Sequence, residues 1–258
     1  GLFGKRENRG TMTINKSDTE AADISVNRTS SDKQIFGGLI GTYFSDNTSN
    51  SLTISGISVS ADNSAGGAEY FGGLIGKADD DSYIRLENVS VSASGCKNVT
   101  SFGGIAGYAD KAFIDAENVT VNTNGDFIGG GVIGNMNGGV LRLGGTTDLT
   151  GTKAAGGGQI IGTRGAALIY AQDGWQLNRG EAASFDDIGT WGEVLRLSSS
   201  LREDNIFNIN ETEHTVTVKR AGTSVGSHAE FAGLALNMQL YSGTSSGSTL
   251  LLESSSTT

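Results

Sequence analysis

One glycine-rich hexapeptide, returning along the chain, restricts the possible folds more than any other feature. Phe36-Gly37-Gly38-Leu39-Ile40-Gly41 recurs unchanged as Phe71-Gly72-Gly73-Leu74-Ile75-Gly76. It returns as Phe102-Gly103-Gly104-Ile105-Ala106-Gly107 and, with one residue inserted, as Ile128-Gly129-Gly130-Gly131-Val132-Ile133-Gly134. A weaker copy runs Gly156-Gly157-Gly158-Gln159-Ile160-Ile161-Gly162, and Gly1-Leu2-Phe3-Gly4 reads as the cut end of another. The closing glycines stand at 4, 41, 76, 107, 134 and 162, which makes the spacings 37, 35, 31, 27 and 28 residues. Periods of roughly 20–50 residues are the mark of stacked or arrayed repeats.

A second element keeps phase with the first. Leu52-Thr53-Ile54-Ser55-Gly56-Ile57-Ser58-Val59-Ser60 aligns with the stretches Ile84–Ser92 and Ile114–Asn122. In each, apolar and polar residues alternate in two short pieces, the period-2 signal of strands. Between the pieces sits Gly56, Asn88 or Asn118, and Gly145 in the following repeat. Glycine and asparagine tolerate a left-handed backbone cheaply, so this column predicts a corner. No segment carries an apolar stripe at helical spacing, which predicts little helix.

About three short strands per repeat, each repeat stacked on the next, predict an all-β fold: a right-handed parallel β-helix or related β-solenoid with coils of about 27–37 residues. A single coil cannot bury its own apolar face, but a stack builds a continuous core. Phe36, Phe71 and Phe102 then form an aromatic ladder; Leu39, Leu74, Ile105 and Val132 form a second, and Ile40, Ile75, Ala106 and Ile133 a third. The Gly-Gly-Leu-Ile-Gly strand is apolar on both faces, so it is either covered on both sides or docked against something.

Composition agrees and excludes other classes. The chain has 40 glycines in 258 residues and no proline, where an average chain has about 7% and about 5%. Collagen needs proline and a strict Gly-X-Y period. Disorder is excluded because 36% of the residues are hydrophobic and they are patterned. A stacked parallel solenoid uses nearly every backbone N–H in its ladders, and proline has none to give. No apolar run reaches membrane-span length and no signal peptide is visible. A net charge of −10 removes the electrostatic basis for binding nucleic acid or anionic membranes. The lone Cys96 rules out an intrachain disulfide framework.

With these copies in place, residues 1–165 resemble the GLUG-motif repeats of large bacterial cell-surface and secreted proteins. The resemblance implies an extracellular, adhesin-like repeat domain that is often part of a much longer protein. It brings no catalytic residues with it.

After Gly162 the repeat fades. Residues 166–253 read as a continuation of the solenoid with a Trp-bearing insertion near 172–204, or as a separate capping domain. Strand signals lie at Ala166–Tyr170, Ile206–Ile209 and His214–Lys219, and the stretches Phe231–Leu240 and Thr249–Glu253 read as further rungs. Residues 254–258 read as a disordered tail. The lack of an obvious polar cap points to a piece of a longer protein.

Chemistry is sparse. Gly129-x-Gly131-x-x-Gly134 satisfies a dinucleotide fingerprint, but it is one copy of the glycine repeat and needs a following helix to function as one. Asp79, Asp80 and Asp81 form the densest acidic run and are weak Ca²⁺ candidates, since Ca²⁺ takes six to eight oxygens; a solvated loop explains them as well. No other cofactor is expected. His214 and His228 lack partners at metal spacing. A β-helical polysaccharide lyase or glycosidase would set two carboxylates on one exposed sheet, and Glu87 and Glu117 fall one rung apart. An ice-binding solenoid would need long polar ranks, and Ser58, Ser90 and Thr120 with Ser60, Ser92 and Asn122 give short ones. Asn27, Asn47, Asn88, Asn98, Asn118 and Asn210 fit N-x-[ST], with Asn88 and Asn118 explained as corner residues.

The resulting expectation is a non-catalytic structural or adhesive domain at the bacterial cell surface whose partner is a host or cell-surface glycan or protein. Tyr170, Trp175 and Trp191 are the candidate contact residues; the alternative for the tryptophans is that they cap the apolar end of the solenoid.

Overall fold

The computed structural model of the chain describes residues 2–8, 11–16, 22–29, 31, 35–45, 51–79, 82–154, 160–165, 167–172 and 175–179, and beyond these the strands at 195–196, 207–210, 215–220, 223–228, 237–239 and 251–253. Among the described residues there is no helix.

The chain winds as a β-solenoid. A partial turn comes first: β1 (Phe3–Asn8), β2 (Met12–Asn15) and β3 (Ala22–Asn27). The first complete turn is β4 (Ile35–Gly37), β5 (Ile40–Ser45), β6 (Ser51–Ser55) and β7 (Ile57–Asp62); the second is β8 (Tyr70–Gly72), β9 (Ile75–Ala78) and β10 (Tyr83–Ser94). The third is β11 (Ser101–Gly103), β12 (Ala106–Asp110) and β13 (Phe113–Phe127), the fourth β14 (Gly129–Gly130), β15 (Ile133–Asn137) and β16 (Gly139–Ala154). Then come β17 (Ile161–Arg164), β18 (Ala167–Ala171) and β19 (Gln176–Arg179). Equivalent strands pair in parallel from turn to turn. They build a six-stranded sheet (β1-β5-β9-β12-β15-β17), a short sheet (β4-β8-β11-β14) and a long sheet (β2-β6-β10-β13-β16-β18) with β3, β7 and β19 beyond its corner. Phe3 pairs with Ile40 and Lys5 with Thr42, so Phe3 and Gly4 are in register with the Ile40-Gly41 end of the next copy.

The corner column behaves as its residues predict. Gly56, Asn88, Asn118 and Gly145 have φ of 63°, 53°, 53° and 56°. The asparagines also link the turns: Asn118 Nδ2 donates to Asn88 Oδ1 at 3.1 Å, and the Thr146 N–H donates to Asn118 Oδ1 at 3.0 Å.

The glycine motif turns the chain by a different means. A Cβ on Gly38, Gly73 or Gly104 would run into Val59, Val91 or Val121 across the coil and into the Gly73, Gly104 or Gly131 carbonyl of the next turn. The chain is pinched there until backbone touches the opposite sheet. This divides the interior in two. The main compartment holds Leu39, Ile40, Ile54, Val91, Ile114 and their equivalents; a narrower one stacks Phe36, Phe71, Phe102 and Phe127 against Ala61, Ala93, Cys96 and Val99. Ring centroids along that stack are 5.0, 5.2 and 4.6 Å apart. All three expected ladders are therefore interior, and the strand that is apolar on both faces is covered on both: its Phe faces one compartment, its Leu and Ile the other. Burying each such side chain contributes about 1.5–3 kcal/mol, so a stack accumulates what one turn lacks.

The same bend explains the missing prolines. The Leu39 and Ile40 N–H groups both donate to Leu74 O, at 2.8 and 2.9 Å. Leu74 and Ile75 repeat this on Ile105 O, Ile105 and Ala106 on Val132 O, and Val132 and Ile133 on Ile160 O.

From the first complete turn to the third, the shortening lies in two loops. The chain takes eight residues from Tyr43 to Ser51, but five from Ala78 to Tyr83 and four from Ala109 to Phe113, while the flanking pairs stay in register. Asp62 to Tyr70 takes eight, Ser94 to Ser101 seven.

Beyond β19, β20 (Leu195–Arg196) pairs in parallel with β18 and extends the long sheet. β21 (Phe207–Asn210), β22 (Thr215–Arg220) and β23 (Thr223–His228) form an antiparallel sheet, and β24 (Asn237–Gln239) pairs antiparallel with β25 (Leu251–Glu253). The two stretches expected to be further rungs are thus partners of each other. Alternation marks a strand but carries no information about the direction of its partner.

Candidate functional site on the outer faces

Apolar ladders fill most of the interior, and the outside offers three surfaces among the described residues. The long sheet before its corner carries charge. Arg85 lies between Thr53 and Asp115 in register, Asp115 faces Arg142, and Glu87 faces Glu117. The charges are taken up locally: Arg85 binds Glu87 at 2.7 Å and Arg142 binds Asp115 at 2.8 Å. Glu87 and Glu117 stack one rung apart as the spacing requires, with Arg85 held on the first of them. Tyr83 and Phe113, on the same side as Arg85, are buried with ring centroids 5.0 Å apart.

Past the corner the outer face is polar. Asp23, Ser58, Ser90, Thr120 and Asp148 form one column, and Ser25, Ser60, Ser92 and Asn122 the next. Both ranks exist as expected, and the first continues from Asp148 to Asn178. Asp62 accepts from Ser64 Oγ at 2.6 Å and Ser94 Oγ at 2.8 Å, and these two hydroxyls hold its carboxyl below the usual range.

The third surface lies where the short and six-stranded sheets meet. The closing glycines beneath it are buried: a Cβ on Gly76 would strike Ile35 and the Phe36 backbone, and one on Gly134 would strike the Ser101 hydroxyl. On one side stands the register column Ile35, Tyr70, Ser101; on the other stands Thr42, Lys77, Tyr108, Asn135. Tyr70 of one turn meets Tyr108 of the next, with centroids 4.8 Å apart and planes inclined by 39°. Lys77 Nζ lies 5.6 Å from the Tyr108 centroid and forms an ion pair with Asp79 at 2.9 Å. Asn137 Nδ2 donates to Asp110 Oδ1 at 3.0 Å. Partial burial, and then a hydrogen bond to Glu69, push the Tyr70 hydroxyl pKa up; burial and then the Asp110 charge do the same for Tyr108. Asp79 raises Lys77.

Only some of the residues singled out by sequence are described. Trp175 is interior: it is 6% exposed, belongs to the main compartment, and donates its indole N–H to Thr147 Oγ1 at 3.0 Å. Tyr170 lies on β18, in register with Arg142, and nothing more of its side chain is described; Trp191 lies outside the described residues. So do Asp80 and Asp81, while Asp79 is engaged by Lys77. Among the described residues no group of three or more His, Cys, Asp or Glu side chains is placed to hold a metal ion. The dinucleotide-like glycines form β14, a bend and β15, with a strand where the fingerprint needs a helix. Cys96 is buried beside the phenylalanine stack, and burial pushes its thiol from 9.0 up to about 12. No described helix is long and apolar enough to cross a membrane.

Tyr70 and Tyr108 escaped the sequence reading. Their signal was position: the residue before each motif Phe, and the residue after each closing Gly, both point outward. Comparison with protein-family models, curated proteins and solved structures returns no match for this chain.

Proposed function

We propose that this chain is a non-catalytic structural and adhesive repeat domain, part of a larger protein on the bacterial cell surface, of the kind its resemblance to GLUG-motif repeats implies. The observation that supports this best is the division of labour in each turn. Apolar inward positions serve the stack, while on the outer face of the long sheet Arg85 is paired with Glu87 and Arg142 with Asp115. Such a surface suits a rigid solvated rod that presents loops to partners. Glycosidic chemistry needs two carboxyl groups with different protonation tasks, and an arginine clamped on Glu87 works against one of them.

The test is binding of the purified chain to glycan and host-protein arrays, with selective retention expected. Release of reducing or unsaturated ends from a polysaccharide, abolished in Glu117→Gln, would replace this reading with an enzymatic one. Thermal hysteresis reduced by a bulky residue at Ser90 would replace it with ice binding.

A further inference from the structure

We draw no further inference here: the strongest candidate, the apolar edge at the N-terminal end of the solenoid, where Phe3, Ile14 and Ile24 are half-buried while their register partners Ile40, Ile54 and Val59 in the next turn are buried, has nothing in the structure to show what covers it.

Discussion

The solenoid turns its chain at two recurring places by opposite means. At the Gly56–Asn88–Asn118–Gly145 corner the requirement is conformational: the backbone must be left-handed, and at Gly56, Asn88 and Asn118 there is room outside for a side chain. At the Gly-Gly bend the requirement is volume. Gly38, Gly73 and Gly104 have no positive φ, yet a single methyl at any of them would meet valine side chains and the next turn's carbonyl. A left-handed corner therefore accepts asparagine, and gains amide hydrogen bonds between turns by doing so. The pinched bend accepts glycine alone.

This contrast can be broken most severely at the bend. Gly104→Val drives two methyl groups against Val121 and the Gly131 carbonyl. The cost is expected to exceed the 3 kcal/mol or so typical of overpacking, because backbone is what must move. Loss of a cooperative thermal melt would be the readout, and a melt within a few degrees of the parent would refute the volume argument. Next in size is Phe71→Ala, which empties the middle of the compartment the bend creates. A loss of about 3–5 kcal/mol in denaturant unfolding is expected; a loss below about 1 kcal/mol would mean the narrow compartment is not a packed core.

The corner should respond more gently. Asn118→Val is expected to lose about 1–2 kcal/mol for the left-handed backbone, and somewhat more for the bonds to Asn88 and Thr146. Asn118→Gly should stay within about 1 kcal/mol of the parent. Equal losses in the two would show that the amide ladder, and not φ, decides that column.

The smallest effect concerns Cys96, at the turn leading back to the bend. Its folded pKa is raised above the unfolded value, so its contribution to stability is complete below about pH 9 and falls as the pH climbs toward about 12. In native protein at pH 8 the thiol should resist alkylation by iodoacetamide and react only after denaturation. Stoichiometric labelling of the folded chain would show that the loop around Cys96 opens.

The sequence alone determined most of the scaffold. Repeated Phe-Gly-Gly motifs placed the coils, period-2 alternation placed the strands, and one column of Gly and Asn placed the corner, because each of these is a local requirement on backbone or side chain. The loss of phase after Gly162 was visible as well. Pairing direction was not, which is why Asn237–Gln239 and Leu251–Glu253 read as rungs and pair instead with each other. Nor could the sequence say that the bend presses against the long sheet and splits the core, since that contact joins Gly73 to Val91 across the coil. The outer surface was the least legible. Trp175, an obvious contact residue by type, went inside to satisfy Thr147, while Tyr70 and Tyr108, 38 positions apart, were brought into contact by the stacking of one turn on the next. Which side chains share a patch depends on inter-turn register and on the angle between two sheets, and only the tertiary structure fixes those.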